Sequence, residues 1–195
     1  MLCAPVIEHD GLRQWVANAR RADVDEMIRG AHDAIVRDVR ASGPVCTASG
    51  RCCDFARTGH DLFVTGLEVA WTLDRIPAER AIAGGDIDAA ESRGDCPFLI
   101  ADGSISRCGV HPARPMGCRV YFCDPTRERF VQDLAERGAS LVREMHDRFG
   151  IPYVYAEWRA LLRCFIEAGI LSAPSMPIEF ASRDPFVPLT LGSAS

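Results

Sequence analysis

Apolar residues recur at helical spacing in two N-terminal stretches: Leu12, Trp15, Val16 and Ala19, then Val24, Met27, Ile28, Ala31, Ile35 and Val39. A single apolar stripe of this period predicts two amphipathic helices. Asp23, with Glu26 three residues on, offers a start for the second, and Ser42-Gly43-Pro44 stops it. Residues 45–60 lose the pattern and read as a loop containing Cys and Gly. Thr65-Gly66-Leu67-Glu68 has the form of a capping box, so a short helix is expected through Trp71 to about Ile76, closed by Pro77. The small, acidic stretch from Ala78 to Gly94 predicts a short helix inside a flexible connection.

Phe98-Leu99-Ile100 and Ile105-Ser106-Arg107 flank Ala101-Asp102-Gly103-Ser104, which signals a hairpin. Asp124-Pro125 restarts a helix whose stripe runs through Phe130, Leu134, Leu141, Met145 and Phe149, with Gly138 as a point where it breaks in two. Pro152 separates it from a last helix holding Trp158, Leu161, Leu162, Phe165 and Ile166, closed near Gly169. Beyond Ser172 the chain carries Pro174, Pro177, Pro185 and Pro188 without period. The expected class is therefore mainly α with a small β-hairpin (α+β). A single domain spans 1–172, and 173–195 form a Pro-containing C-terminal tail.

With 195 residues, 48% apolar and 25% charged, the chain has an ordinary globular composition. A net charge of −5 gives no electrostatic footprint for nucleic acid or anionic lipid, and no apolar run is long enough to span a bilayer. All 22 basic residues are Arg. The absence of Lys removes Schiff-base, phosphate-loop and kinase-type lysine chemistry.

The nine cysteines change the picture most. The N-terminus, Met1-Leu2-Cys3-Ala4-Pro5, shows no secretory pattern, so a cytoplasmic location is expected, and in a reducing compartment clustered thiols point to metal or redox chemistry. Cys46, Cys52 and Cys53 form one knot, Cys96 and Cys108 a second, and Cys118, with Cys123 just after, a third. All lie in predicted loops or at hairpin ends. Strand side chains alternate, so Cys96 and Cys108 share a face only with a three-residue loop at Asp102, Gly103 and Ser104, or with a bulge; a common metal site therefore predicts that longer loop. Thiolates suit zinc, iron–sulfur clusters or copper(I). Arg51, Arg107 and Arg119 each adjoin a cysteine and Arg114 is nearby, so their guanidinium groups are candidates to offset the thiolate charge.

Cys96-Pro97-Phe98-Leu99, the Asp102-Gly103 turn, Cys108 and Arg114-Pro115-Met116-Gly117-Cys118-Arg119-Val120-Tyr121 resemble the YkgJ-type cysteine-cluster family, described as a zinc- or iron-chelating domain. Gly50-Arg51-Cys52-Cys53 resembles that family's paired-cysteine block, and the helix at Leu67-Glu68 is also similar. The resemblance covers roughly residues 46–123. Two departures stand out: Thr47, Ala48 and Ser49 fill a gap where the family carries another cysteine, and Tyr121-Phe122-Cys123 follows where the family runs on to Tyr-Pro-Phe. Cys123 is thus a reserve for the missing ligand.

The resemblance implies a metal ion or cluster on Cys-rich loops converging on one site, with an iron–sulfur cluster weighed slightly ahead of zinc. The ligand pool is Cys46, Cys52, Cys53, Cys96, Cys108 and Cys118, with Cys123 in reserve. Related cysteine domains in enzymes that methylate flagellin lysines add a second reading, a protein lysine N-methylase or associated factor with a protein partner. A purely structural zinc domain is a third. No catalytic residue is assigned. Cys164 reads as core and Cys3 as a terminal stray. His60 and His111 read as hydrogen-bonding residues before ligands, and His146 as a helix-surface residue. Tyr153, Tyr155 and Trp158 read as core contacts beside Pro152, and Asp54 and Asp61 as acceptors for a ligating His. Gly109 and Gly117 read as loop-geometry positions.

Overall fold

The computed structural model describes residues 7–42, 50–102, 105–121 and 127–170. Expectations that fall on Cys3, Cys46, Cys123, the Asp124-Pro125 helix start and the tail from 173 to 195 lie outside the described residues. In chain order the helices are α1 (His9–Ala19), α2 (Ala22–Ser42), α3 (Phe55–Thr58), α4 (Gly66–Leu73), α5 (Gly84–Arg93), α6 (Met116–Val120), α7 (Glu128–Phe149) and α8 (Trp158–Ala168). The strands are β1 (Phe63–Thr65), β2 (Leu99–Asp102), β3 (Ile105–Cys108) and β4 (Tyr155–Glu157). The protein is mainly helical with small antiparallel sheets. No helix among the described residues is long and apolar enough to cross a membrane.

Helices α1, α2, α4, α7 and α8 form where the sequence pattern places them, whereas α3 and α6 fall in stretches that read as loop; local chemistry sets the ends. The Thr65 hydroxyl accepts from the Glu68 N–H while the Glu68 carboxylate accepts from the Thr65 N–H, closing the capping box that opens α4. Gly150 and Gly169, at φ 62° and 60°, close α7 and α8 in the left-handed conformation. α2 begins before Asp23, which sits in its first turn and pairs with Arg21 at 2.8 Å. The region read as a loop at 45–60 contains a 3-10 turn at Arg51–Cys53 and the one-turn helix α3, whose cap is the Asp54 carboxylate accepting from the Arg57 N–H. Gly138 does not break α7. A Cβ there would lie 2.8 Å from the Met116 side chain, so Gly138 is where α6 lies close against α7.

The main core runs from Leu12 in α1 to Phe165 in α8 and buries Trp15, Trp71 and Trp158. Gly66 leaves room for the Trp15 ring on the first turn of α4, where any Cβ would sit 2.4 Å from it. A smaller apolar cluster joins α2, α6 and α7 through Ile35, Met116, Val120 and Leu134. Buried Arg75, just beyond α4, donates to Asp25 at 2.8 Å and to the Ala19 carbonyl at 3.1 Å, and lies over the Trp71 ring. It thereby ties α1 and α2 to the end of α4.

The sheets correct two expectations. β1 pairs with β4, Val64 opposite Ala156, a long-range pairing absent from the sequence reading. It leaves Tyr155 56% exposed rather than in the core, while Trp158 is buried as expected. β2 pairs with β3 with Asp102 opposite Ile105, so two residues separate the paired ends, not the three expected.

Candidate functional site

Backbone pairing brings the first two cysteine knots together. The Asp54–Asp95 bridge is extended by the Cys96 N–H donating to the Cys53 carbonyl at 2.8 Å and the Ala56 N–H donating to the Gly94 carbonyl at 2.7 Å. Gly94 is required twice over: its φ is +72°, and a Cβ would lie 2.6 Å from that of Ala56. Gly50, at φ +65°, packs on Ser106 of β3, where a Cβ would come within 2.4 Å of the Ser106 Cβ. That contact docks the Arg51–Cys53 turn against the strand that ends in Cys108.

The hairpin register alone would set Cys96 and Cys108 on opposite faces. The chain escapes this because Cys96 is not in the strand. The Leu99 N–H donates to the Cys96 carbonyl at 3.0 Å, closing a turn with Pro97 at its second position. The turn re-aims Cys96, so strict alternation stops at Leu99, the partner of Cys108.

Cys52, Cys53, Cys96, Cys108, Cys118 and Cys164 are all free thiols. Cys53 is surrounded by sulfur: hydrogen bonds with Cys108, Cys52 and Cys96 hold its proton and push its pKa far up. The Cys52 sulfur lies 4.0 Å from that of Cys53. Cys52 is drawn down to about 6, chiefly because Cys53 donates to it and further because Arg114 is near. Cys108 is lowered by the Cys53 hydrogen bond, by the Val110 N–H and by Arg114. Cys118 is pushed well up, first by burial and then by the neighbouring charges of Cys108, Cys96 and Cys52. The thiols of Cys52, Cys53, Cys96, Cys108 and Cys118 thus share one electrostatic neighbourhood. Cys164 does not join it; half-buried on α8, it responds to burial, Glu167 and Arg163, and packs on the core.

Cys118 is not in a loop, as its sequence setting suggests, but inside the short helix α6, and α4 braces it. Glu68 is fully buried; one carboxylate oxygen completes the capping box and the other accepts from the Met116 N–H at 3.0 Å, at the start of α6. One turn along α4, the Thr72 hydroxyl donates to the Ala113 carbonyl at 2.8 Å. The two side chains, four residues apart on one face, therefore hold both ends of the 113–116 segment. From the sequence Glu68 reads only as a cap. Two polar residues on the apolar face of a short helix were the signal that a second strand of chain had to satisfy them.

The four candidate arginines separate. Arg51 and Arg107 are exposed. Arg119 donates to the Arg114 and Pro112 carbonyls at 3.0 and 2.7 Å, bracing the preceding loop. Arg114 is the one whose charge acts on Cys52, Cys108 and Cys118.

Of the remaining candidates, His60 stacks on Tyr121 at 4.5 Å and meets Phe55 edge-on, while His111 opens a 3-10 turn. Asp54 caps α3, and Asp61 pairs with Arg159 at 3.4 Å. His146 is not a surface residue: it is 2% exposed, with Nδ1 3.1 Å from the Ile151 carbonyl. Gly117 lies inside α6, where a Cβ would meet Leu62 at 2.7 Å, while Gly109 lies under Phe98 and Ile100.

Among the described residues, no group of three or more His, Cys, Asp or Glu side chains has a geometry that would hold a metal ion. The clustered side chains are thiols, and two of them, Cys53 and Cys118, are held protonated by neighbouring thiols and by burial respectively. No family model, curated protein or solved structure matches the chain.

Proposed function

We propose that the protein binds a soft metal centre, zinc or an iron–sulfur cluster, through Cys52, Cys53, Cys96, Cys108 and Cys118, with Cys46 completing the pool and Cys123 in reserve. The observation that carries this reading is the gathering of thiols from distant segments: Cys52 lies 4.0 Å from Cys53, Cys53 pairs through its backbone with Cys96, and the Gly50 contact docks their turn on the strand that ends in Cys108. A cluster of thiols that cannot ionise together without a cation is the ligand-free form expected of a thiolate site. The motif resemblance over residues 46–123 supports the same reading, as does the unpaired state of the described thiols.

A bound centre would supply either a cross-link between loops or, as a cluster, an electron carrier. The chain's own part is to gather the sulfurs and keep water away. Cys53 and Cys118 release protons on loading, because both are held protonated by their surroundings. Anaerobic purification with metal and acid-labile sulfide analysis tests the reading. Brown protein containing iron and sulfide supports the cluster, and colourless protein with stoichiometric zinc supports the structural site. Cys96→Ser and Cys118→Ser are expected to lose most of the metal and Cys164→Ser to keep it; equal metal in all three, or none in the wild type, removes the proposal. The lysine-methylation reading has its own test, binding of a methyl donor to the purified protein.

A further inference from the structure

Cys52 and Cys53 lie side by side in the 3-10 turn Arg51–Cys53, and their sulfurs are 4.0 Å apart. A disulfide needs about 2.05 Å, so a shift of about 2 Å would join them. The backbone keeps Cys53 where it is: its N–H donates to the Gly50 carbonyl at 2.9 Å, and its carbonyl accepts from the Cys96 N–H at 2.8 Å. Exposure sets the two thiols apart. Cys53 is 4% exposed, whereas Cys52 is only half-buried. Cys96, opposite Cys53 in the register of the Asp54–Asp95 bridge, is 5% exposed, so an incoming reagent meets neither member of that pair first. One accessible thiol with a sheltered thiol behind it is the arrangement of an attacking and a resolving cysteine.

We propose that Cys52 and Cys53 form a thiol–disulfide exchange site that takes small-molecule disulfides. The Cys52 sulfur attacks one sulfur of RSSR; the S–S bond breaks, and one RS group leaves as RSH with the proton that Cys52 gave up. Cys53 then attacks the Cys52 sulfur of the mixed disulfide. The second RS group leaves as RSH with the Cys53 proton, and a Cys52–Cys53 disulfide closes. The chain is oxidised by two electrons and RSSR is reduced to two RSH. A ring closed between neighbouring residues is strained and its Cys52 end is accessible, so excess RSH reverses the reaction. The exchange needs only the two sulfurs and the fold that holds them, and it is independent of the metal-binding reading.

The test uses the reduced full-length protein in a chelator, incubated with oxidised glutathione, alkylated, and digested with trypsin without reductant. Cleavage after Arg51 and Arg57 puts both thiols on one short peptide, while Cys96 falls on another that ends at Arg107. The expected product is the 52–57 peptide, unalkylated and lighter by two hydrogens, which returns to the dithiol in excess reduced glutathione. Cys53→Ser should stop at the mixed disulfide on Cys52, and Cys52→Ser should slow oxidation of Cys53 by about 10-fold or more. The proposal is overturned by a 52–57 peptide joined to the Cys96 peptide, by a lasting glutathione adduct on wild-type Cys52, or by a dithiol that stays reduced. Equal reactivity of Cys53 in wild type and in Cys52→Ser overturns it too. The wild-type peptide map decides alone if either variant fails to fold. Loss of helical circular dichroism in the chelator also overturns the proposal, because the pair then has no metal-free fold to act in, and that result favours the metal-binding reading.

Discussion

Two buried histidines oppose folding in acid. His32 lies between α2 and α4, edge-on to Trp71, and burial together with Arg119, Arg114 and Arg29 holds its pKa well below the ordinary 6.5. His146 is lowered chiefly by burial, against the opposing effects of the Ile151 carbonyl and Asp147. Both are bases whose folded-state pKa is depressed, so below 6.5 the unfolded chain takes up protons that the folded chain refuses. Their contribution is therefore complete above about pH 6.5 and falls as pH drops from there towards the folded values. Thermal melts at about pH 8 and about pH 5.5 should show a clear loss of Tm at the lower value, and His32→Phe should flatten the dependence. An unchanged Tm between those two conditions would contradict the buried neutral state of both rings. Arg75 is the other decisive single residue. Removing its side chain takes one partner from Asp25, which keeps Arg29, and one from buried Asp74, which keeps Arg20, and Arg75→Ala is expected to cost about 1–3 kcal/mol in urea unfolding.

Among the elements, the hairpin shows where pattern reading succeeds and where it stops. Alternation located β2 and β3 correctly, because apolar-polar order on a strand is local information. A shared metal site then called for a three-residue loop or a bulge so that Cys96 and Cys108 could meet, and the pairing of Asp102 with Ile105 overturns the longer loop. The turn from Cys96 to Leu99 solves the problem outside the strand, and only the Cys53–Cys96 backbone pairing shows why Cys96 lies there. The same packing makes Gly50 a sensitive position. Gly50→Ala combines a left-handed φ with a clash against Ser106, and should cost about 1–3 kcal/mol or more and separate Cys52 from Cys108. Slower and weaker Co²⁺ uptake by this variant would be the readout. On α4, Thr72→Val removes one buried hydrogen bond to the 113–116 segment and should cost about 1 kcal/mol, with a matching decrease in Tm.

For the molecule as a whole, loading and folding are expected to be linked. A ligand that binds only the folded chain stabilises it by about 2.7 kcal/mol at a free concentration 100 times its Kd, so Zn²⁺ should raise Tm in the wild type and fail to do so in Cys118→Ser. The sequence by itself determined the long helices α1, α2, α7 and α8, the capped start of α4 and the cysteine inventory, and missed the short helices α3 and α6. Apolar period, proline and glycine punctuation and residue chemistry act over a few neighbours and need no knowledge of the rest of the chain. Glu68 was legible as a cap for that reason, since its partner is three residues away. Only the tertiary structure decided that the other oxygen of Glu68 holds α6, that His146 is buried, that β1 pairs with β4, and that Cys96 is paired to Cys53. Each of those facts depends on two segments distant in sequence satisfying one another's buried polar groups or sharing one volume, and no local pattern carries that information.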